Sequence, residues 1–137
     1  MMKMVGVQHI GIAVKDIEAS IANFENLLGI KCGEREKIAA SRVEVAFFDF
    51  GNTHVELVSP IDPESPISRF LEERGNGIHH ICFDVEGIDE WLDTLKAKGV
   101  RLIDETPRKG GSGHRVAFVN PGSASGILLE LSEPGDE

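Results

Sequence analysis

Four side chains in this sequence have the types and the spacing to hold a metal ion. His9 lies in "VQHIGIAV" and His80 in "IHHICFDV", 71 residues later. Glu56 lies in "HVELVSP" and Glu130 in "LLELSEP". Imidazole nitrogens and carboxylate oxygens together suit a divalent cation. With no cysteine in the set, six-coordinate cobalt, manganese, nickel, iron or zinc is expected, with positions left for water or substrate. A lone histidine or glutamate on a strand is usually just a solvated side chain. The case here rests on four of them recurring in matched places.

That recurrence is an internal repeat. Setting His9 over His80 also sets Ile17 over Ile88 and "VEVAFF" (43–48) over "HRVAFV" (114–119). With a few inserted residues, "HVELVSP" matches "LLELSEP", and Glu56 meets Glu130. Each copy reads as a strand, a helix and three strands. The first helix carries Ile17, Ile21, Phe24 and Leu28 on one stripe, with Asp16 as N-cap and Gly29 as stop. The second carries Ile88, Trp91, Leu92 and Leu95, and Gly99 ends it. The later strands are expected near 32–39, 42–50 and 53–59, then near 100–105, 114–119 and 126–132. Between the copies, Ser65, Pro66 and Gly75 bound a short connecting helix. The expectation is an α+β fold in one domain over 1–137. Module one covers about 5–60, the connector about 65–75 and module two about 77–133. The two βαβββ modules would form a curved eight-stranded mixed sheet around one metal site.

Side chains alternate across a strand, so parity sorts residues by face. Ile10, Ile12 and Val14 are expected against the helix, with His9, Gly11 and Ala13 on an open face. In the second copy Ile81, Phe83 and Val85 take the helix side, and His80, Cys82 and Asp84 the open side. His79 goes with the apolar side. Glu56 and Glu130 each point away from apolar neighbours. The same reasoning puts Glu44, Ala46 and Phe48 on the open face, and Val43, Val45 and Phe47 in the core.

Composition narrows the function classes. Hydrophobic residues are 41% and charged residues 27% of the 137, which is ordinary for a soluble domain. The formal net charge of −9 argues against a nucleic-acid or anionic-membrane binder. No apolar run approaches a membrane span, and the N-terminus has no signal-peptide pattern, so a cytoplasmic protein is expected. Cys32 and Cys82 lack metal-type spacing and read as reduced thiols.

The motifs "HIGIAV", "HVELVSP", "GIHHICFDV" and "GILLEL" resemble those of the vicinal oxygen chelate superfamily, over nearly the whole chain. The resemblance implies a glyoxalase/bleomycin resistance/dioxygenase-like fold, with metal ligands on the first and last strand of each module. Within the superfamily, "VELVSPIDPESPISRFLEERGNGIHHICFDV", "GSGHRVAFVNP" and "GILLEL" are similar to the pattern of the methylmalonyl-CoA epimerases. That likeness implies His9, Glu56, His80 and Glu130 as ligands of one divalent ion, cobalt foremost, with manganese, nickel, zinc or iron as alternatives. It implies Glu44 and Glu130 as the catalytic pair. Several epimerases carry glutamine where this chain has Glu56, so the metal here would meet one more negative charge. The implied reaction interconverts the R and S forms of methylmalonyl-CoA at C2, by a two-base proton transfer through a metal-stabilised enolate. Such a C–H, between a thioester and a carboxylate, is acidic enough for general-base removal. The alternatives are a glyoxalase I-like lactoylglutathione lyase, an extradiol-type dioxygenase and a metal-free binding module. A homodimer is expected, since the superfamily often dimerises.

Other residues carry weaker signals. "KGGSGHR" is glycine-rich, but it lacks the Lys-Ser/Thr ending of a phosphate loop and leads into a strand. Gly110, Gly111 and Gly113 could make it a mobile loop over substrate. Arg115, aligned with Glu44 by the repeat, could pair with the substrate carboxylate. Lys109, with Lys37, Arg42 and Arg108, could meet the coenzyme A phosphates. His54 shares the parity of Glu56 and is expected at the rim of the site.

Overall fold

The structure is a computed structural model of the chain and describes residues 1–110 and 113–135. Helix α1 (Ile17–Leu28) starts where the Asp16 carboxylate accepts from the Ala19 N–H and stops at Gly29, which adopts the left-handed conformation at φ 70°. An N-cap of this kind is worth about 1 kcal/mol. Helix α2 (Pro66–Arg74) has Ser65 as N-cap and Pro66 at its first position, and it ends at Gly75. Helix α3 (Ile88–Ala97) follows a Gly87 N-cap that makes no side-chain capping bond. All three helices lie where the sequence pattern expects them.

The strands are β1 (Lys3–Ala13), β2 (Arg35–Ile38), β3 (Val43–Asp49), β4 (His54–Pro60), β5 (Gly77–Glu86), β6 (Arg108–Lys109), β7 (Arg115–Val119) and β8 (Leu128–Glu133). The chain divides into two compact units, His9–His79 and Met1–Gln8 with His80–Glu137, so β1 and β5 each contribute to both. In the His9–His79 unit the strand order is β2-β3-β4-β1, and in the other it is β6-β7-β8-β5. β4 pairs parallel with β1 and antiparallel with β3. β8 pairs parallel with β5 and antiparallel with β7. Each unit therefore holds a mixed sheet with the same order and the same senses.

Register ties the copies together more tightly than the sequence alignment does. Gly11 stands opposite Glu56, and Cys82 opposite Glu130. Phe47 stands opposite Glu56, and Phe118 opposite Glu130. Gly11 and Cys82 are repeat partners, and so are Phe47 and Phe118. The two glutamates are thus matched from both neighbouring strands. The inserted residues fall between β7 and β8, in a 3-10 turn at Pro121–Ser123.

The core differs from expectation in one respect that matters for the site. In the His9–His79 unit both faces of the sheet are covered. Leu57, Ala46 and Phe48 pack with Ile17 and Ile21 of α1. Ala13, Val43, Val45 and Val58 pack with Ile67 and Leu71 of α2. The face expected to be open is therefore buried at this end. In the other unit, Val85, Ala117 and Leu131 pack with Ile88 and Leu92 of α3.

The strand expected near 100–105 does not form. Leu102 makes only an isolated bridge to Val119. The Asp104 carboxylate accepts the Phe118 N–H at 2.8 Å, taking the place of a strand carbonyl on that edge. The edge strand forms later, at Arg108–Lys109, where the repeat places the counterparts of Lys37 and Ile38. Among the described residues, no helix is long and apolar enough to cross a membrane.

Candidate metal centre and active site

The first half of the site comes from β1 and β4. These strands run in parallel with His9 opposite His54 and Gly11 opposite Glu56, so His9, His54 and Glu56 share one face. Gly11 has no side chain to compete with the Glu56 carboxylate. His9 is buried, and its Nδ1 lies 3.2 Å from Glu56 Oε2. His54 Nε2 lies 2.8 Å from the same oxygen.

The second half comes from β5 and β8. His80 and Glu130 are both buried, with His80 Nε2 3.5 Å from Glu130 Oε1. Cys82, in register with Glu130, lies on the same face and is fully buried. Phe118 meets the His80 ring edge-on at 6.1 Å between centroids. His114 extends this face: its Nδ1 is 2.8 Å from Ser132 Oγ, and Ser132 follows Glu130 by one strand period.

The donor set fits a metal. Two ligands bound side by side on one ion at about 2.1 Å each are about 3.0 Å apart. The His9–Glu56 and His80–Glu130 pairs, at 3.2 and 3.5 Å, are close to that spacing. Carboxylates at 15 and 12% side-chain exposure need a partner for their charge. An imidazole faces each of them.

The structure corrects the expected faces of Glu44 and Arg115. Glu44 does not stand on the face of Glu56. The register of β3 with β4 sets Phe47 opposite Glu56, so Phe47, Val45 and Val43 share the glutamate's face, while Glu44, Ala46 and Phe48 turn toward α1. There the Glu44 carboxylate accepts from Arg35 Nε at 3.0 Å and from its Nη2 at 2.7 Å. Arg35 also binds Glu18, in the first turn of α1, and holds the Glu18 carboxyl below its usual range. Arg115 is the second correction. It shares the parity of Ala117, whose side chain packs against α3, and it reaches Asp89 of that helix.

The remaining expectations divide. Lys109 is exposed and in register with Arg115, away from the Glu130 face. Gly111 lies outside the described residues. Arg42 is engaged by Asp62 and Glu64. Arg108 is the basic residue on the Glu130 side: it is opposite Val116, and its guanidinium lies 5.3 Å from the centre of the Phe118 ring. Nothing in the residue order prefers it over its neighbours, because the two-residue strand that aims it is set by register. His54 was legible as a same-face neighbour of Glu56, but its hydrogen bond to Glu56 was not.

His79 and His80 separate as alternation requires. His79 packs edge-on against Phe70 of α2, with ring centroids 5.0 Å apart. Burial pushes its pKa down, and the nearby Arg74 adds to the shift. Cys32 and Cys82 form no disulfide.

Known proteins share this fold and much of this sequence. The profile of the Glyoxalase/Bleomycin resistance protein/Dioxygenase superfamily matches residues 8–118. The chain is 39% identical to an ethylmalonyl-CoA/methylmalonyl-CoA epimerase of Cereibacter sphaeroides, over 95% of this chain and 99% of that one. The crystal structure of methylmalonyl-CoA epimerase from Mycobacterium tuberculosis superimposes with a TM-score of 0.88 at 32% identity, covering 97% of this chain and 90% of that one. A methylmalonyl-CoA epimerase in complex with methylmalonyl-CoA and ammonium gives a TM-score of 0.86 at 28% identity, with 96% of each chain covered. Fold, repeat and sequence agree that this chain belongs to the methylmalonyl-CoA epimerases of the Glyoxalase/Bleomycin resistance protein/Dioxygenase superfamily.

Proposed function

We propose that the protein epimerises methylmalonyl-CoA at C2, with one divalent ion held by His9, Glu56, His80 and Glu130. The observation that carries this reading is the His–Glu pair repeated in matched register, His9 with Glu56 and His80 with Glu130. It is supported by membership of the epimerase family and by the relative solved with methylmalonyl-CoA. A bound ion would supply Lewis acidity toward the thioester and carboxylate oxygens of the substrate. Cobalt is the first choice, because a mixed nitrogen and oxygen set with a carboxylate on each side suits a six-coordinate ion.

The chain's own groups do the rest. His9 and His80 would hold the ion as neutral imidazoles, and Glu56 and Glu130 would balance its charge. Glu130 presents Oε1 toward His80. Its other oxygen is assigned the proton at C2, as a general base in one direction and an acid in the other. Epimerisation also needs a proton delivered on the opposite side of C2. A second acid supplies that proton; Glu44, the partner that the family likeness implies, is held by Arg35 on the α1 side of β3, and exchange in Glu44→Gln tests it. Phe118 covers one edge of His80 and limits water there. The protein is further assigned to the cytoplasm as a homodimer, consistent with two cysteines that form no disulfide and with the habit of the superfamily.

The test is isotopic. Metal-loaded protein with methylmalonyl-CoA in deuterated water is expected to incorporate deuterium at C2 and to bind one ion per chain. Absence of exchange, together with turnover of the methylglyoxal–glutathione hemithioacetal, overturns the reading in favour of a lyase. A stoichiometry of two ions per chain would mean that each His–Glu pair binds its own metal.

A further inference from the structure

His54 opens β4 two residues before Glu56, so the two side chains share a face. Three contacts fix its ring. Nε2 is 2.8 Å from Glu56 Oε2. The ring stacks on that of His9, with centroids 5.1 Å apart and planes 25° from parallel. Phe47 closes the other side at 5.7 Å. An ionised carboxylate only accepts hydrogen bonds, so Nε2 carries the proton and donates it to Glu56. The acceptor, Oε2, is the oxygen that faces His9 Nδ1.

The matching strand position of the second copy is not a histidine. The residue two before Glu130 is Leu128, at the start of β8. The repeat therefore supplies the His–Glu pair twice, but a histidine two residues before the glutamate only in the first copy.

We infer that His54 is a positioning residue for the metal centre. Its Nε2–H orients the Glu56 carboxylate toward His9 and shares its negative charge. Hydrogen-bonded partners of ligating carboxylates and imidazoles commonly change metal affinity about 10–100-fold. The inference rests on the proposed role of His9 and Glu56 as ligands.

The experiment uses cobalt(II) and a competing chelator, with affinity and the visible absorption of the bound ion as readouts. His54→Phe keeps a ring against His9 and removes the donor. His54→Gln keeps an amide donor and removes the ring. Affinity is expected to fall about 10–100-fold in His54→Phe and to return most of the way in His54→Gln. Equal affinity in wild type and His54→Phe overturns the role of His54, and so does His54→Gln binding as weakly as His54→Phe. Wild-type protein that binds no cobalt(II), manganese(II), nickel(II), zinc(II) or iron(II) overturns instead the metal reading on which the inference stands.

Discussion

Arg115 donates from one guanidinium nitrogen to both carboxylate oxygens of Asp89, at 3.0 and 2.9 Å. Asp89 sits in the first turn of α3, where a negative charge also meets the positive end of the helix dipole. Its repeat counterpart, Glu18, sits in the first turn of α1 and is bound by Arg35, which in turn binds Glu44. Glu44 and Arg115 are themselves repeat counterparts. Both copies thus tie the start of the helix to the middle strand. One does so directly through an arginine, and the other through a glutamate and a bridging arginine.

This relation changes what a substitution at Glu44 should do. Glu44→Gln is expected to keep deuterium exchange at C2 within roughly threefold of wild type, with a small loss of thermal stability. Glu130→Gln should lower exchange by at least about 100-fold, because it removes the assigned proton carrier. Exchange rates on folded, metal-loaded variants decide the matter. If Glu44→Gln is folded and inactive, Glu44 reaches the substrate after all.

The histidine doublet makes a second prediction. His80→Ala should lower metal affinity by at least about 100-fold, since a ligand is lost. His79→Ala should leave affinity within a few-fold, because its ring is turned to the opposite face against Phe70. Calorimetric titration with cobalt(II) reads both. Comparable losses would show that strand alternation does not divide the pair.

A third prediction follows from the buried His79. Burial first, and Arg74 second, lower its pKa in the folded protein. The unfolded chain, with an ordinary histidine near 6.5, then binds more protons than the folded one as the pH drops. The stability that neutral His79 contributes is complete above about pH 6.5. It is lost as pH falls through the unfolded value toward the lowered folded one. Metal-free wild type should lose more melting temperature between pH 7 and 5 than His79→Gln does. Parallel melting curves for the two proteins would show that His79 does not contribute to the acid sensitivity.

Much of this was legible before any coordinates. Asp16, Gly29, Ser65 and Pro66 act within a few residues of themselves, so the helix ends could be read from local chemistry. The repeat and the parity of His9, His80, Glu56 and Glu130 could be read for a similar reason: on β1, β4, β5 and β8, polar site residues alternate with apolar ones. β3 was different. Val43, Val45 and Phe47 are apolar, and so are Ala46 and Phe48, because α2 covers one face of this strand and α1 the other. A strand buried on both sides carries no parity signal, which is why the expected face of Glu44, and through the repeat that of Arg115, differs from the observed one.

The doubled unit, its helices and the four residues of ligand type follow from the order of residues alone, because periodicity and capping are written in neighbouring residues. Which side-chain face of β3 and β7 meets a helix, where the edge strand β6 begins, and that His54 bonds Glu56 emerge only on folding. Those outcomes depend on the register between strands far apart in the chain. Shifting a pairing by one residue exchanges the faces.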